Sequence, residues 1–191
     1  PYIVPAPYHD MYGPNSFLPV VRDDGELVDQ HPVYAAFSGN VIGTAFRKDA
    51  VREAAIGAYM GLIKQIDDQM GLLFAHLLES DQLDNTVIVI TSDHGDYLGD
   101  HWLGEKDLFH DASVRVPMII YDPSSESDAT RGTVSNALVE SIDLLPTFVE
   151  MAGGTPRDEW LEGRSLMPLL RGETPSEWRK YAVSEYDYSI T

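Results

Sequence analysis

Residues 86–90, Thr-Val-Ile-Val-Ile, make a short β-branched run that follows Asp84-Asn85 and leads into Thr91-Ser92-Asp93-His94-Gly95. Such a run reads as a buried strand. Because it is continuously apolar rather than alternating, it suits a parallel strand covered on both faces. In open α/β sheets, ligands sit beyond the carboxyl ends of strands. This strand delivers a carboxylate and an imidazole side by side to that edge, then a glycine that lets the backbone turn sharply. A loop rich in Gly, Asp and His follows, carries Lys106, and runs into a second apolar strand at 116–121. The rest of the chain is organised around this unit, 85–121.

Aspartate and histidine are both metal ligands, and an oxygen–nitrogen donor pair suits a divalent ion such as Mn²⁺, Mg²⁺, Ca²⁺ or Zn²⁺. Adjacent strand residues point to opposite faces, so consecutive ligands serve one ion only where the strand has ended. Two ligands do not complete a shell, and the others must come from elsewhere. Lys106 supplies a fixed positive charge for an anionic substrate. The plainer reading has Asp93 capping the loop and His94 packing at the strand end.

The same stretch strongly resembles the C-terminal half of sulfatases and phosphonate monoester hydrolases, in the alkaline phosphatase superfamily. The resemblance rests on Ser92-Asp93-His94-Gly95, Leu98-Gly99-Asp100-His101, Lys106 and Arg115-Val116-Pro117, in that order and spacing. It implies Asp93 and His94 as metal ligands. It implies Lys106, twelve residues beyond His94, as the catalytic cation that contacts substrate, with His101 as a weaker substrate-binding candidate. It implies a divalent metal cofactor and a formylglycine nucleophile upstream of Pro1. The implied fold is α/β, an alkaline phosphatase-like mixed sheet flanked by helices, present here as its C-terminal portion only.

Composition bounds the partners. With Lys plus Arg at 13 and Asp plus Glu at 31, the net charge is −18. That field repels nucleic acid and anionic membranes. A small anionic ester substrate would therefore need a local positive spot, which a metal and Lys106 would give. No cysteine is present, so disulfides and thiolate metal sites are excluded. The compartment stays open, with the cytoplasm favoured over the periplasm. No apolar run approaches the ~20 residues of a membrane span. The resemblance also implies a homo-oligomer in the full-length protein.

Along the chain, 1–29 is Pro-rich and irregular yet carries Tyr2, Ile3, Val4, Tyr8, Met11, Tyr12 and Phe17, so it packs across a larger body. His9 reads as a turn or surface residue. Residues 31–46 offer no chemistry. Residues 48–79 show helical periodicity in Ile56, Tyr59, Met60, Ile63, Ile66, Met70, Leu73 and Leu77, which reads as core, with Asp49 as the candidate N-cap. At ~1.5 Å per residue the helix would run roughly 45 Å. Asp67 and Asp68 read as solvated or packing residues rather than a metal pair, since helical neighbours point about 100° apart. His101 and His110 either line the pocket or make structural hydrogen bonds. Asp111 and Arg115 form an ion pair if that turn is helical. Residues 123–131 read as a surface loop, and 134–139 and 180–186 as short strands. Residues 141–154 read as a helix capped by Asp143, with Pro146 in its first turn and Gly153 at its end. The stretch Gly163-Arg164-Ser165-Leu166 resembles a scaffold feature of the family, not a nucleophile elbow.

The organisation expected is 1–46 as an irregular segment, 47–154 as the α/β core and 155–191 as the start of a C-terminal subdomain. The function implied is metal-dependent hydrolysis of sulfate, phosphate or phosphonate esters by the full-length protein, with residues 1–191 inactive alone. The alternative is a non-catalytic binding or scaffold module that kept the fold.

Overall fold

The computed structural model describes residues 2–13, 19–173 and 175–187. Phe17, expected to pack, lies outside them. The chain divides into two compact units, Pro1–Ser80 with His94–Pro117, and Asp81–Asp93 with Met118–Thr191.

The first unit is built on helices. Two of them, α1 (Pro32–Gly39) and α2 (Val41–Phe46), occupy a segment whose sequence reads as irregular. Their starts are nonetheless encoded. Pro32 sits in the first turn of α1, where its missing N–H costs nothing, and the His31 ring Nδ1 accepts from Val33 N at 3.3 Å. Asn40 caps α2, its Oδ1 accepting from Ile42 N at 2.9 Å and Gly43 N at 2.8 Å.

The long helix α3 spans Asp49–Glu79, as the periodicity predicts, but its N-cap is Lys48. Asp49 lies in the first turn instead, where its carboxylate favours the helix dipole and pairs with Arg22 Nη2 at 2.5 Å. The face that α3 buries also differs from expectation. Arg52, Ala55, Gly57 and Gly61 are its buried residues, whereas Ile63, Ile66 and Leu73 are more than half exposed. The small residues win because they admit backbone: a Cβ on Gly61 would stand 2.5 Å from the Tyr8 carbonyl oxygen. The N-terminal segment thus packs on α3, as its apolar residues predict, and Tyr8 donates to Asp68 Oδ2 at 3.0 Å. Asp67 and Asp68 both pair with Lys64, so neither is a ligand candidate. His9 is exposed, as expected.

The second unit holds the sheet. β1 (Ile88–Thr91) pairs with β2 (Met118–Tyr121) in antiparallel register, Ile88 opposite Tyr121 and Thr91 opposite Met118. The parallel expectation for the first run is corrected. A continuous apolar run reports burial, not strand direction. Both strands begin later than the apolar runs, at 88 and 118. Thr86 turns back to bond the Gln82 carbonyl at 2.7 Å, and Pro117 has no N–H to give a ladder.

After β2 the surface loop is tighter than its composition implies. Asp122 is buried and accepts from Ser127 Oγ at 2.7 Å, Ser124 Oγ at 2.9 Å and Ser124 N at 2.9 Å. Burial alone would raise this carboxyl, but the hydrogen bonds and Arg131 bring it below its ordinary value.

Residues 141–154 fold as a 3-10 turn, Ser141–Asp143, followed by a helix, Leu144–Met151, with Pro146 in the first turn and Gly153 beyond the end at φ 77°. Asp143 occupies the cap position, yet its side chain makes no cap bond. A short helix after it, Met167–Leu170, buries Met167 beside Leu166. Between them a three-residue link forms: Thr147 Oγ1 donates to the Asp143 carbonyl at 2.6 Å and accepts from Leu166 N at 2.8 Å.

The strands expected at 134–139 and 180–186 are absent among the described residues. β-propensity supplies no partner edge. Side chains bridge these segments instead: Trp178 Nε1 donates to the Leu138 carbonyl at 2.8 Å, and Val183 N to Glu140 Oε1 at 3.0 Å.

Candidate active site

β1 ends at Thr91, and Ser92 Oγ lies 3.4 Å from Asp93 Oδ1. Asp93 is exposed. His94 follows it directly in the chain and is half-buried, its Nδ1 2.7 Å from the Gly95 carbonyl oxygen. A carbonyl only accepts, so Nδ1 carries the proton and Nε2 keeps the lone pair that a metal would take. A carboxylate oxygen and an imidazole nitrogen are donor types that suit a divalent ion. Among the described residues no group of three or more such side chains converges.

Gly95 is pinned where the loop begins. Its N–H donates to the Ser113 carbonyl at 2.7 Å, and a Cβ there would stand 2.0 Å from the Ala112 carbonyl oxygen. Gly95→Ala is expected to destabilise the protein by about 3 kcal/mol, at the top of the range for overpacking, because backbone must move. Urea unfolding at unchanged slope measures it.

Asp96, which the sequence did not single out, is half-buried. Tyr2 donates its hydroxyl to Oδ2 at 2.7 Å and Leu98 N donates to Oδ1 at 3.0 Å. Burial raises the Asp96 carboxyl, and the same contact pushes the Tyr2 hydroxyl up, burial first and Asp96 second.

Beyond Asp96 the backbone is unusual. Leu98, His101, Trp102, Glu105 and Asp107 all have positive φ, between 47° and 93°. Non-glycine residues there cost of order 1–3 kcal/mol each and persist only where surroundings over-determine them. The surroundings do so. His101 N donates to the Val21 carbonyl at 2.7 Å, and Asp100 Oδ1 accepts from Val21 N at 2.9 Å. Trp102 Nε1 donates to the Asp23 carbonyl at 2.8 Å, beneath the Arg22 guanidinium 4.3 Å from its ring.

His101 and His110 both make side-chain hydrogen bonds. His101 Nδ1 meets Glu26 Oε1 at 2.8 Å, and His110 Nδ1 meets the Tyr97 hydroxyl at 3.0 Å. His110 also lines a cleft of about 280 Å³ with Glu26, Asp29, His31 and Tyr34. The Tyr34 hydroxyl donates to the His101 carbonyl, and burial pushes it up to about 12. Burial holds His110 below its ordinary value, with the neighbouring His101 second. None of Glu26, Tyr34 or Tyr97 was readable as a site residue. The only local signal was the capping box of Asp23 with Glu26 that opens a 3-10 turn.

Lys106 is exposed on this loop and makes no ion pair among the described residues. Asp111 and Arg115 do pair, at 3.6 Å across the short helix Asp111–Val114. Both are over four-fifths exposed, so the pair contributes little.

The sulfatase family model matches residues 22–154. The chain is 36% identical to the multifunctional alkaline phosphatase superfamily protein PehA of Trinickia caryophylli, over 98% of this chain and 38% of that protein. It is 37% identical to the N-acetylglucosamine-6-O-sulfatase of Bacteroides thetaiotaomicron, over 67% of this chain and 23% of that protein. Its fold superposes on phosphonate monoester hydrolase SpPMH of Silicibacter pomeroyi with TM-score 0.85 and 34% identity, covering 95% of this chain and 37% of that one. The chain belongs to the sulfatase family, within the alkaline phosphatase superfamily. It spans well under half the length of these relatives.

Proposed function

We propose that the protein containing this chain hydrolyses small anionic esters, of sulfate or phosphonate, with the help of a divalent metal ion. The observation that carries the reading is the Asp93-His94 pair that follows β1, with His94 Nδ1 committed to the Gly95 carbonyl. Similarity to a phosphonate monoester hydrolase and to a sugar sulfatase supports both ester classes.

In this reading Asp93 and His94 donate an oxygen and a nitrogen to the ion, and the remaining ligands come from elsewhere in the full-length protein. A bound divalent ion would supply charge neutralisation and an activated nucleophile, the formylglycine that the family resemblance implies outside this chain. Lys106 holds a non-bridging ester oxygen as negative charge shifts in the transition state. Its ammonium has three donors and no lone pair, so it binds substrate and not metal.

Two outcomes follow. Purified residues 1–191 are expected to show no metal-dependent turnover of aryl sulfates or phenylphosphonates. Turnover that scales with the purified fragment would place the nucleophile inside this chain and overturn the reading. In the full-length protein, Asp93→Ala is expected to lose bound metal, measured by elemental analysis and by Mn²⁺ calorimetry. Retained stoichiometric metal in that variant would remove Asp93 from the shell and favour the scaffold-module alternative.

A further inference from the structure

The loop that carries Lys106 is closed at its two ends by a pair of imidazoles. His101 and His110 stack with centroids 4.1 Å apart and planes 17° from parallel. Lys106 lies midway between them in sequence. Neither ring is free to choose its rotamer. His101 is held through Nδ1 by Glu26 and through its carbonyl by Tyr34. His110 is held through Nδ1 by the Tyr97 hydroxyl, which also accepts the His110 backbone N–H at 3.3 Å. The Tyr34 and Tyr97 rings stand edge-on to His110 at 5.9 and 5.6 Å. Each of these anchors comes from outside the 101–110 segment. The apex, by contrast, is open: Glu105, Lys106 and Phe109 are exposed. A loop that served only as a connection would need no such frame around its ends.

We infer that His101 and His110 are positioning residues, a stacked latch that fixes the separation of the loop ends and thereby the place of the Lys106 ammonium. The inference rests on Lys106 being the substrate-contacting cation. A charge fixed on a strained backbone is preorganised, and a displacement of about 1 Å costs up to a hundredfold in rate.

The latch has a charge limit. Facing His110 are His101, Tyr97 and, around the cleft, Glu26, Asp29, His31 and Tyr34. Glu26 bonds the His101 ring through its Nδ1. Burial first, and the facing His101 second, disfavour a proton on His110. His110 sits below its ordinary value, so it stays neutral as pH falls through the usual histidine range. The sign follows: the latch is intact above that range and is lost as pH falls through the lowered value.

The test uses the full-length enzyme with an aryl sulfate or phenylphosphonate ester, comparing Lys106→Ala, His110→Ala and His110→Phe. His110→Ala is expected to lower kcat/KM by about ten- to a hundredfold with metal content unchanged. His110→Phe keeps a ring plane with no titratable nitrogen. It should return kcat/KM at pH 8 to within about threefold of the parent, and should remove the part of the acid-side decline that His110 causes. A merely structural histidine would not give that combination of rescue and altered pH profile. Should His110→Ala unfold at the assay temperature, His110→Leu replaces it with the same expectation. Parent-like kcat/KM in His110→Ala beside a large loss in Lys106→Ala overturns the latch and leaves the role of Lys106 standing. Equal impairment of the Phe and Ala variants, with the parent's acid limb, also overturns it. A parent-like Lys106→Ala removes the reading on which the latch rests.

Discussion

Lys106→Ala in the full-length enzyme is expected to lower kcat/KM by about a hundredfold or more, the scale seen when one preorganised electrostatic donor is removed. Metal content and melting temperature should stay at parent values. The expectation comes from where the side chain sits. Lys106 is exposed and has no ion-pair partner among the described residues, so its removal breaks no ion pair there. The loop beneath it is held by bonds that Lys106 does not make, from Val21, Asp23 and Glu26 to residues 100–102. Folding should therefore be indifferent to the substitution while transition-state stabilisation is not. The competing account is a lysine that snorkels, its stem on the loop and its ammonium in water. Steady-state kinetics separate the two: a parent-like kcat/KM on a good substrate means snorkelling. Lys106→Arg gives a finer reading. It keeps the charge but replaces a compact ammonium by a planar fork. Partial recovery would locate the effect in charge, and no recovery in the ammonium's geometry.

The parts of the fold that sequence disclosed are those whose chemistry is local. A β-branched run leading into Ser92-Asp93-His94-Gly95 needs no distant residue to be read as a strand edge. The helical period of α3 is likewise internal to the segment, and so are Pro146 and Gly153 at the two ends of the 141–154 helix. Which face of α3 is buried is not internal. Ile63 and Leu73 satisfy the apolar pattern, but Gly61 is what admits the N-terminal backbone. The α1 and α2 helices are too short to show a period, and only Pro32 and Asn40 marked their starts. The frame of the loop was hidden for a different reason. Glu26 is 75 residues from His101 and Tyr34 is 67 residues away, and no local pattern announces a contact at that separation. Of the five positive-φ residues of the loop, Leu98, Trp102 and Glu105 are not types that favour such backbone, so strain there had no sequence signal either.

Asp143→Ala is expected to be the most destabilising single substitution in the second unit, by about 3–5 kcal/mol, the cost of breaking a buried ion pair from one side. Asp143 is fully buried. Its Oδ1 accepts from Arg164 N at 2.8 Å and from Arg179 Nη2 at 2.5 Å, and its Oδ2 accepts from Glu140 N at 2.8 Å. One carboxylate thus fastens three segments that no strand ladder joins. Alanine leaves two backbone N–H groups without their acceptor, each costing about 1–3 kcal/mol if it finds no other. It also leaves the Arg179 side chain, 8% exposed, with Glu140 as its remaining carboxylate among the described residues. That second carboxylate keeps the guanidinium from being wholly unpaired, which argues for the lower part of the range. For a protein of this size the loss corresponds to a fall in Tm on the order of 10 °C. Asp143→Asn should fall between, since it keeps one acceptor oxygen but turns the other position into a donor facing a donor. The pair Asp143→Leu with Arg179→Met removes both charges and should recover much of the loss, as apolar replacement of a buried pair commonly does. Thermal unfolding of the three variants in the full-length protein decides it. An Asp143→Ala melt within about 2 °C of the parent, a shift of under roughly 1 kcal/mol, would mean that water or Glu140 takes over the network and that the carboxylate is dispensable to the fold.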